Sequence, residues 1–145
     1  MANRFIIEQA YFFKASPKKV FDALTTPEGL TSWFLSDAAL EARTGSIYEF
    51  DWLGGYHMEG NIKGIQSGKS VSYSWHDKLP NGKNAVTNAS FSVAKKGSGT
   101  ILKLRHTGFE DPVHFAECSS RWGYYLTNMK SVLDHGTDLR SEYDW

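Results

Sequence analysis

A chain of 145 residues that balances 16 Lys+Arg against 16 Asp+Glu carries no formal net charge. With 41% apolar and 22% charged residues it has the makeup of a folded domain, which excludes a disordered tail and a collagen-like repeat. Neutrality removes the bulk electrostatic argument for nucleic acid, and no apolar run nears the roughly 20 residues needed to span a bilayer, so neither nucleic-acid binding nor membrane insertion is expected.

The lone cysteine, Cys118, excludes an internal disulfide and a Cys-only metal site. The first residues turn acidic at Glu8, too soon for a secretory apolar region, so a cytoplasmic location is expected. Aromatic content is 14%, from 9 Phe, 7 Tyr and 5 Trp. Rings in that number either fill a core or line a cavity.

The first predicted strand runs from Arg4 to Lys14, with Phe5, Ile7, Gln9, Tyr11 and Phe13 on one face. Ser16-Pro17 is an N-cap followed by proline at the first helical position, and Thr26-Pro27 repeats the signal. Val20, Phe21 and Leu24 form the buried stripe of one short helix; Leu30, Trp33 and Phe34 that of the next. Two capped helices in tandem predict a bent connector. From Asp37 to Thr107 the period is close to two. Tyr48, Phe50 and Trp52 alternate with Ile47, Glu49 and Asp51, and Gly54-Gly55 marks a turn. Tyr56 to Gln66 is a further strand, whose internal Gly60 and Gly64 predict a bulge or bend. Tyr73 and Trp75, then Ala89, Phe91 and Val93, then Leu102, Leu104 and His106 continue the alternation. Pro80-Asn81-Gly82 and Gly97-Ser98 supply the turns between them. Asp111-Pro112 opens a final helix of roughly 20 residues, about 30 Å long. Its predicted stripe is Phe115, Ser119, Trp122, Leu126, Met129 and Leu133, and Gly136 is its predicted stop.

One apolar and one polar face over consecutive strands predicts an antiparallel sheet with one wet side. A single long helix over the curved aromatic face would leave a cleft between them. The expected fold class is α+β.

Five stretches carry a family resemblance. They are Val20–Pro27 with Trp33-Phe34; Gly45–Phe50; Gly60–Ile65 with Tyr73-Ser74-Trp75; Gly99–Phe109; and Trp122-Gly123 with Leu126, Met129-Lys130 and Leu133. Together they resemble the activator-of-heat-shock-protein-90-ATPase homologue family, within the START-like (SRPBCC, birch-pollen-allergen-type) superfamily. The resemblance implies a single START-like domain over residues 1–145. It also implies a helix-grip fold: a curved antiparallel sheet wrapped around a long C-terminal helix, with two short helices between strands one and two. It specifies fold more firmly than activity.

Strand and helix parity, with the resemblance, point to a cleft that binds an apolar or aromatic small molecule. Its expected ligand-binding residues are Trp33, Phe34, Tyr48, Phe50, Trp52, Tyr73, Trp75, Phe91, His106, Trp122, Leu126 and Met129. Tyr48, Tyr73, Tyr125 and His106 are the polar groups expected to orient a guest. The competing picture packs the same rings against one another. A co-chaperone-like module with a chaperone partner is the second functional expectation. A cyclase or hydrolase using the cleft is the third. It would need two converging titratable groups, and parity supplies only His106.

No phosphate-binding loop, zinc-protease helix, nucleophile elbow or Cys pair is present, so no catalytic residue and no cofactor are expected. None of the five histidines sits at i,i+2 or i,i+4 from another. A metal site would have to be assembled from distant segments, and none is expected. His106 shares the face of Leu102 and Leu104 and reads first as a core histidine with a hydrogen-bond partner. His57 reads as an exposed loop residue, and Cys118 as a small side chain packed beside the helix stripe. Oligomeric state is left open.

Overall fold

The computed structural model describes residues 5–140. The predicted strand start at Arg4 and the tail from Ser141 to Trp145 lie outside them. Strand β1 (Ile7–Phe13) leads to helices α1 (Pro17–Thr25) and α2 (Pro27–Trp33). Strands β2 (Asp37–Ala39), β3 (Ile47–Asp51), β4 (His57–Gln66), β5 (Ser70–Lys78), β6 (Asn84–Lys96) and β7 (Gly99–Thr107) follow, and then helix α3 (Pro112–His135). The sheet order is β1-β7-β6-β5-β4-β3-β2, antiparallel throughout. This is the α+β helix-grip architecture: a curved seven-stranded sheet, a long C-terminal helix and two short helices between the first two strands. Among the described residues no helix is long and apolar enough to cross a membrane.

The cap signals act as their chemistry requires. Ser16 Oγ accepts from the Lys19 N–H, Thr26 Oγ1 from the Gly29 N–H, and the Asp111 carboxylate from the Val113 N–H. Each satisfies a donor that a helix start leaves unpaired. Gly136 closes α3 at φ 70, a left-handed conformation that glycine adopts without steric cost. The register of β4 on β5 shifts between Ile62 and Gly64, where the bulge was predicted. Gly60 has a different role: it lies opposite Tyr48, and a Cβ there would come within 2.7 Å of the Tyr48 ring. The missing side chain leaves room for that ring to lie across its neighbour.

Helix α3 is 24 residues long, about 36 Å at 1.5 Å per residue. Two polar anchors at its C-terminal end set its line across the sheet. The Asp134 carboxylate accepts from the Lys14 N–H at 3.0 Å and pairs with Lys130, tying the helix to the end of β1. Asn128, fully buried, donates to the Trp33 carbonyl at 2.8 Å and accepts from the Leu139 N–H at 2.6 Å. It therefore fixes both α2 and the chain beyond α3.

The helix is rotated from the predicted stripe. Trp122, Leu126 and Met129 are buried as expected, but Phe115, Ser119 and Leu133 are only half-buried. Their places on the covered face belong to His114, Cys118, Tyr125 and Asn128. Polar atoms on these residues find partners inside the protein, which removes the cost that an apolar-only stripe is chosen to avoid.

Candidate binding site

The aromatic face of the sheet is mostly closed upon itself. Tyr48 and Phe50 lie 4.2 Å apart between ring centroids, and Tyr48 meets Tyr73 edge-on at 5.5 Å. Phe34 touches Trp33, Trp52, Trp75, Trp122 and Tyr125 in one cluster. Such contacts add a modest geometric preference to a large area of apolar burial.

The polar atoms of this interior are committed to the protein. Tyr48 Oη donates to the Ser74 carbonyl and Tyr73 Oη to the Leu24 carbonyl, each at 2.6 Å. Burial raises the pKa of both phenols. The Trp33 indole N–H donates to the Ala23 carbonyl at 2.8 Å. His106 is wholly buried. Its Nδ1 accepts from the Trp122 indole N–H at 3.0 Å, so Nε2 carries the proton and donates to Thr87 Oγ1 at 2.6 Å. Burial, and secondarily the charge of His114, lower its pKa from 6.5 to about 3. It is a neutral bridge between β6 and α3, and among the described residues no carboxylate hydrogen-bonds to it.

A cavity of about 180 Å³ lies at the end of the bowl where β5 meets the first half of α3. Phe34, Trp52, Trp75 and Trp122 form its apolar wall; Tyr56, Leu79, Pro80 and Val113 stand around its rim. Of the twelve residues expected to bind a guest, those first four line it. Trp33, Tyr48, Phe50, Tyr73, Phe91, His106, Leu126 and Met129 are buried elsewhere in the core. Parity places a side chain on the correct face but not at a depth along it, and the helix seals most of that face. Of the expected orienting groups, Tyr125 reaches the cavity and Tyr48, Tyr73 and His106 do not.

The cavity also holds a group of residues that the helix stripe obscured. Asp77, His114 and Cys118 share its wall. His114 Nε2 lies 2.8 Å from Asp77 Oδ2, and Cys118 Sγ donates to the same oxygen at 3.5 Å. Tyr56 Oη donates to Asp77 Oδ1 at 3.4 Å. Burial first, and the Asp77 carboxylate second, push the Cys118 thiol well above its usual range. Two sequence signals pointed here. Asp77 continues the inward parity of Tyr73 and Trp75, and His114, Cys118 and Trp122 follow one another at i,i+4.

On the wet face, His57 opens β4 rather than lying in a loop. Its Nδ1 is 2.7 Å from Asp51 and its Nε2 3.0 Å from Glu59. Those two hydrogen bonds raise its pKa above 6.5. The folded state therefore favours the imidazolium: this contribution is complete below about pH 6.5 and fades as pH rises through the elevated folded value. An NMR titration of the His57 ring should show a midpoint above 6.5 that falls back in Asp51→Asn. An unshifted midpoint in the unmodified protein would remove the pairing.

The family of activator of Hsp90 ATPase homolog 1-like proteins matches residues 14–134. The chain belongs to this family. Solved structures share the fold. The solution structure of the Aha1 dimer from Colwellia psychrerythraea superposes with a TM-score of 0.77 at 26% identity, over 91% of this chain and 98% of that one. The crystal structure of SSP2350 from Staphylococcus saprophyticus gives 0.79 at 17% identity, over 94% and 96%. That of MLL2253 from Mesorhizobium loti gives 0.80 at 18%, over 92% and 99%. A search of curated protein sequences found no match. The resemblance expected from the five sequence stretches is thus established for family and fold.

Proposed function

We propose that this protein is a co-chaperone-type interaction module that engages an Hsp90-class chaperone and raises its ATP turnover. The observation that carries this reading is the family match over residues 14–134, with the Aha1 structure from Colwellia psychrerythraea at 26% identity beside it. The packing of the interior supports it. Ring-on-ring contacts fill most of the bowl, which leaves the surface as the working part. At the cavity rim Val113 is 63% exposed and Tyr56 40% exposed, an apolar edge that suits a partner's side chain. The test is the ATPase rate of the chaperone from the same organism, measured as this protein is titrated in. A dose-dependent acceleration is expected; an unchanged rate at saturating protein would overturn the proposal.

The cavity itself favours a second reading, a small apolar or aromatic guest. At about 180 Å³ it is smaller than the roughly 300–1,000 Å³ of ordinary ligand clefts, so such a guest would be compact. Trp52, Trp75 and Trp122 form part of its wall, so binding must change tryptophan emission. A flat response across a panel of compact aromatic and short-chain apolar compounds would dismiss this reading.

A further inference from the structure

We propose that Asp77, His114 and Cys118 form a binding site for a divalent transition metal of the zinc class, with the fourth coordination position facing the cavity. The three residues supply one carboxylate oxygen, one imidazole nitrogen and one sulfur. That mixed set suits zinc, whereas all-oxygen sets suit magnesium and calcium. The three donor atoms lie within 4.8 Å of one another, and all three residues are buried.

Two of the three separations, those to Asp77, are close to what a tetrahedral ion imposes. Metal–oxygen and metal–nitrogen bonds of about 2.0–2.1 Å place those two ligands about 3.3 Å apart, and a metal–sulfur bond of about 2.3 Å places oxygen and sulfur about 3.5 Å apart. In the protein, Cys118 Sγ is 3.5 Å from Asp77 Oδ2, and His114 Nε2 is 2.8 Å from it. An ion would widen the second contact by about half an ångström and leave the first in place.

The elements that hold the donors are rigid. His114 and Cys118 stand one helical turn apart on the covered face of α3. Asp77 is the penultimate residue of β5, in register with Ala85 of β6. Tyr56 Oη hydrogen-bonds to the other oxygen of Asp77, the kind of outer contact that orients a ligating carboxylate. Both hydrogens that now link the donors are replaced on binding. The Cys118 thiol loses its proton to solvent and becomes thiolate; the hydrogen on His114 Nε2 also leaves for solvent while Nδ1 carries the one proton of the neutral ring, which frees the Nε2 lone pair for the ion. The open side of the ion would face the tryptophan-walled cavity, where a water molecule or a small anionic guest completes the coordination.

A second group, Glu49, His57 and Glu59, is exposed and serves as an internal control. The chain has one cysteine, so any thiolate-to-metal signal reports Cys118 alone. The experiment titrates chelator-treated full-length protein with cobalt(II), followed by zinc(II). The expected result is one cobalt per chain, with the strong visible bands of a tetrahedral ion and a near-ultraviolet thiolate charge-transfer band. The thiol proton should be released as cobalt binds, and zinc should then bleach both bands with no further proton release. Cys118→Ser should lose the charge-transfer band, and His114→Gln should weaken cobalt binding by about tenfold or more. His57→Gln should bind as the unmodified protein does. Circular dichroism checks that each variant is folded. As a measurement that needs no variant, zinc should protect Cys118 of the unmodified protein from alkylation under partly denaturing conditions. Absence of the tetrahedral bands, loss of binding in His57→Gln, or no protection by zinc would overturn the proposal.

Discussion

Replacing His106 with leucine is expected to destabilise the protein by about 2–4 kcal/mol at pH 7, and that difference should shrink as the solution is acidified. At neutral pH the loss has two sources. The Trp122 indole N–H loses its acceptor and Thr87 Oγ1 loses its donor, both in a fully buried setting. A leucine also cannot reproduce the flat contact of the imidazole with the Phe109 ring, now 4.5 Å between centroids. The pH dependence comes from linkage. The folded protein holds His106 neutral down to about pH 3, whereas the unfolded chain takes up the proton near 6.5. The unmodified protein therefore keeps its full stability from this residue above pH 6.5. It loses about 1.4 kcal/mol per pH unit below that value, until the folded state also protonates. The leucine variant lacks this term, so the two stability curves should meet at about pH 4–5. Urea denaturation of both proteins between pH 7 and pH 4 measures the gap directly. A gap that stays constant over that range would show that His106 is not held neutral.

That histidine also marks how far the sequence alone could be read. Its strand and its inward face followed from alternation with Leu102 and Leu104, and burial with a hydrogen-bond partner followed from the face. The partners could not be foreseen. Thr87 and Trp122 lie 19 and 16 residues away, on a neighbouring strand and on a helix whose rotation the apolar pattern misjudged. Phe115 and Leu133 drew the predicted stripe toward themselves because they are large and apolar. The helix instead buries His114, Cys118 and Asn128, whose polar atoms are paired. A periodicity scored on hydrophobicity alone is blind to a polar residue that brings its own partner. The same blindness hid the polar side of the predicted cleft. Asp77 has the inward parity of Tyr73 and Trp75, yet a carboxylate in that row looks like the end of the core rather than the floor of a pocket. The elements that rest on backbone chemistry were more legible. The two cap-plus-proline signals, the glycine stop at Gly136 and the break near Gly64 each depend on a local constraint that needs no knowledge of the partner.

Two glycine-to-alanine substitutions should move stability in opposite directions, and together they test how tightly the helices are seated. Gly29 sits in the first turn of α2, where that helix crosses the end of α1. A Cβ at this position would lie 2.2 Å from the Asp22 carbonyl oxygen and 2.6 Å from Ala23 Cα. Both are backbone atoms, so no side-chain rotation relieves the clash and the two helices must separate. They cannot separate cheaply. The Trp33 indole donates to the Ala23 carbonyl, and Asn128 of α3 holds the Trp33 carbonyl from the other side. Gly29→Ala is therefore expected to cost about 3 kcal/mol, the upper range for overpacking. It should also redshift tryptophan emission as Trp33 loosens and Phe34 leaves the cavity wall. Gly123 stands in the interior of α3, and a Cβ there meets nothing within 4 Å. Alanine at that position removes only backbone freedom from the unfolded chain, so Gly123→Ala should gain about 0.5–1 kcal/mol. Chemical denaturation of the two variants beside the unmodified protein decides both. An unchanged midpoint for Gly29→Ala would mean that the α1–α2 corner yields freely and does not fix the cavity's edge. A loss for Gly123→Ala would mean that this face of α3 is covered by something, and a second copy of the chain would be the first occupant to test.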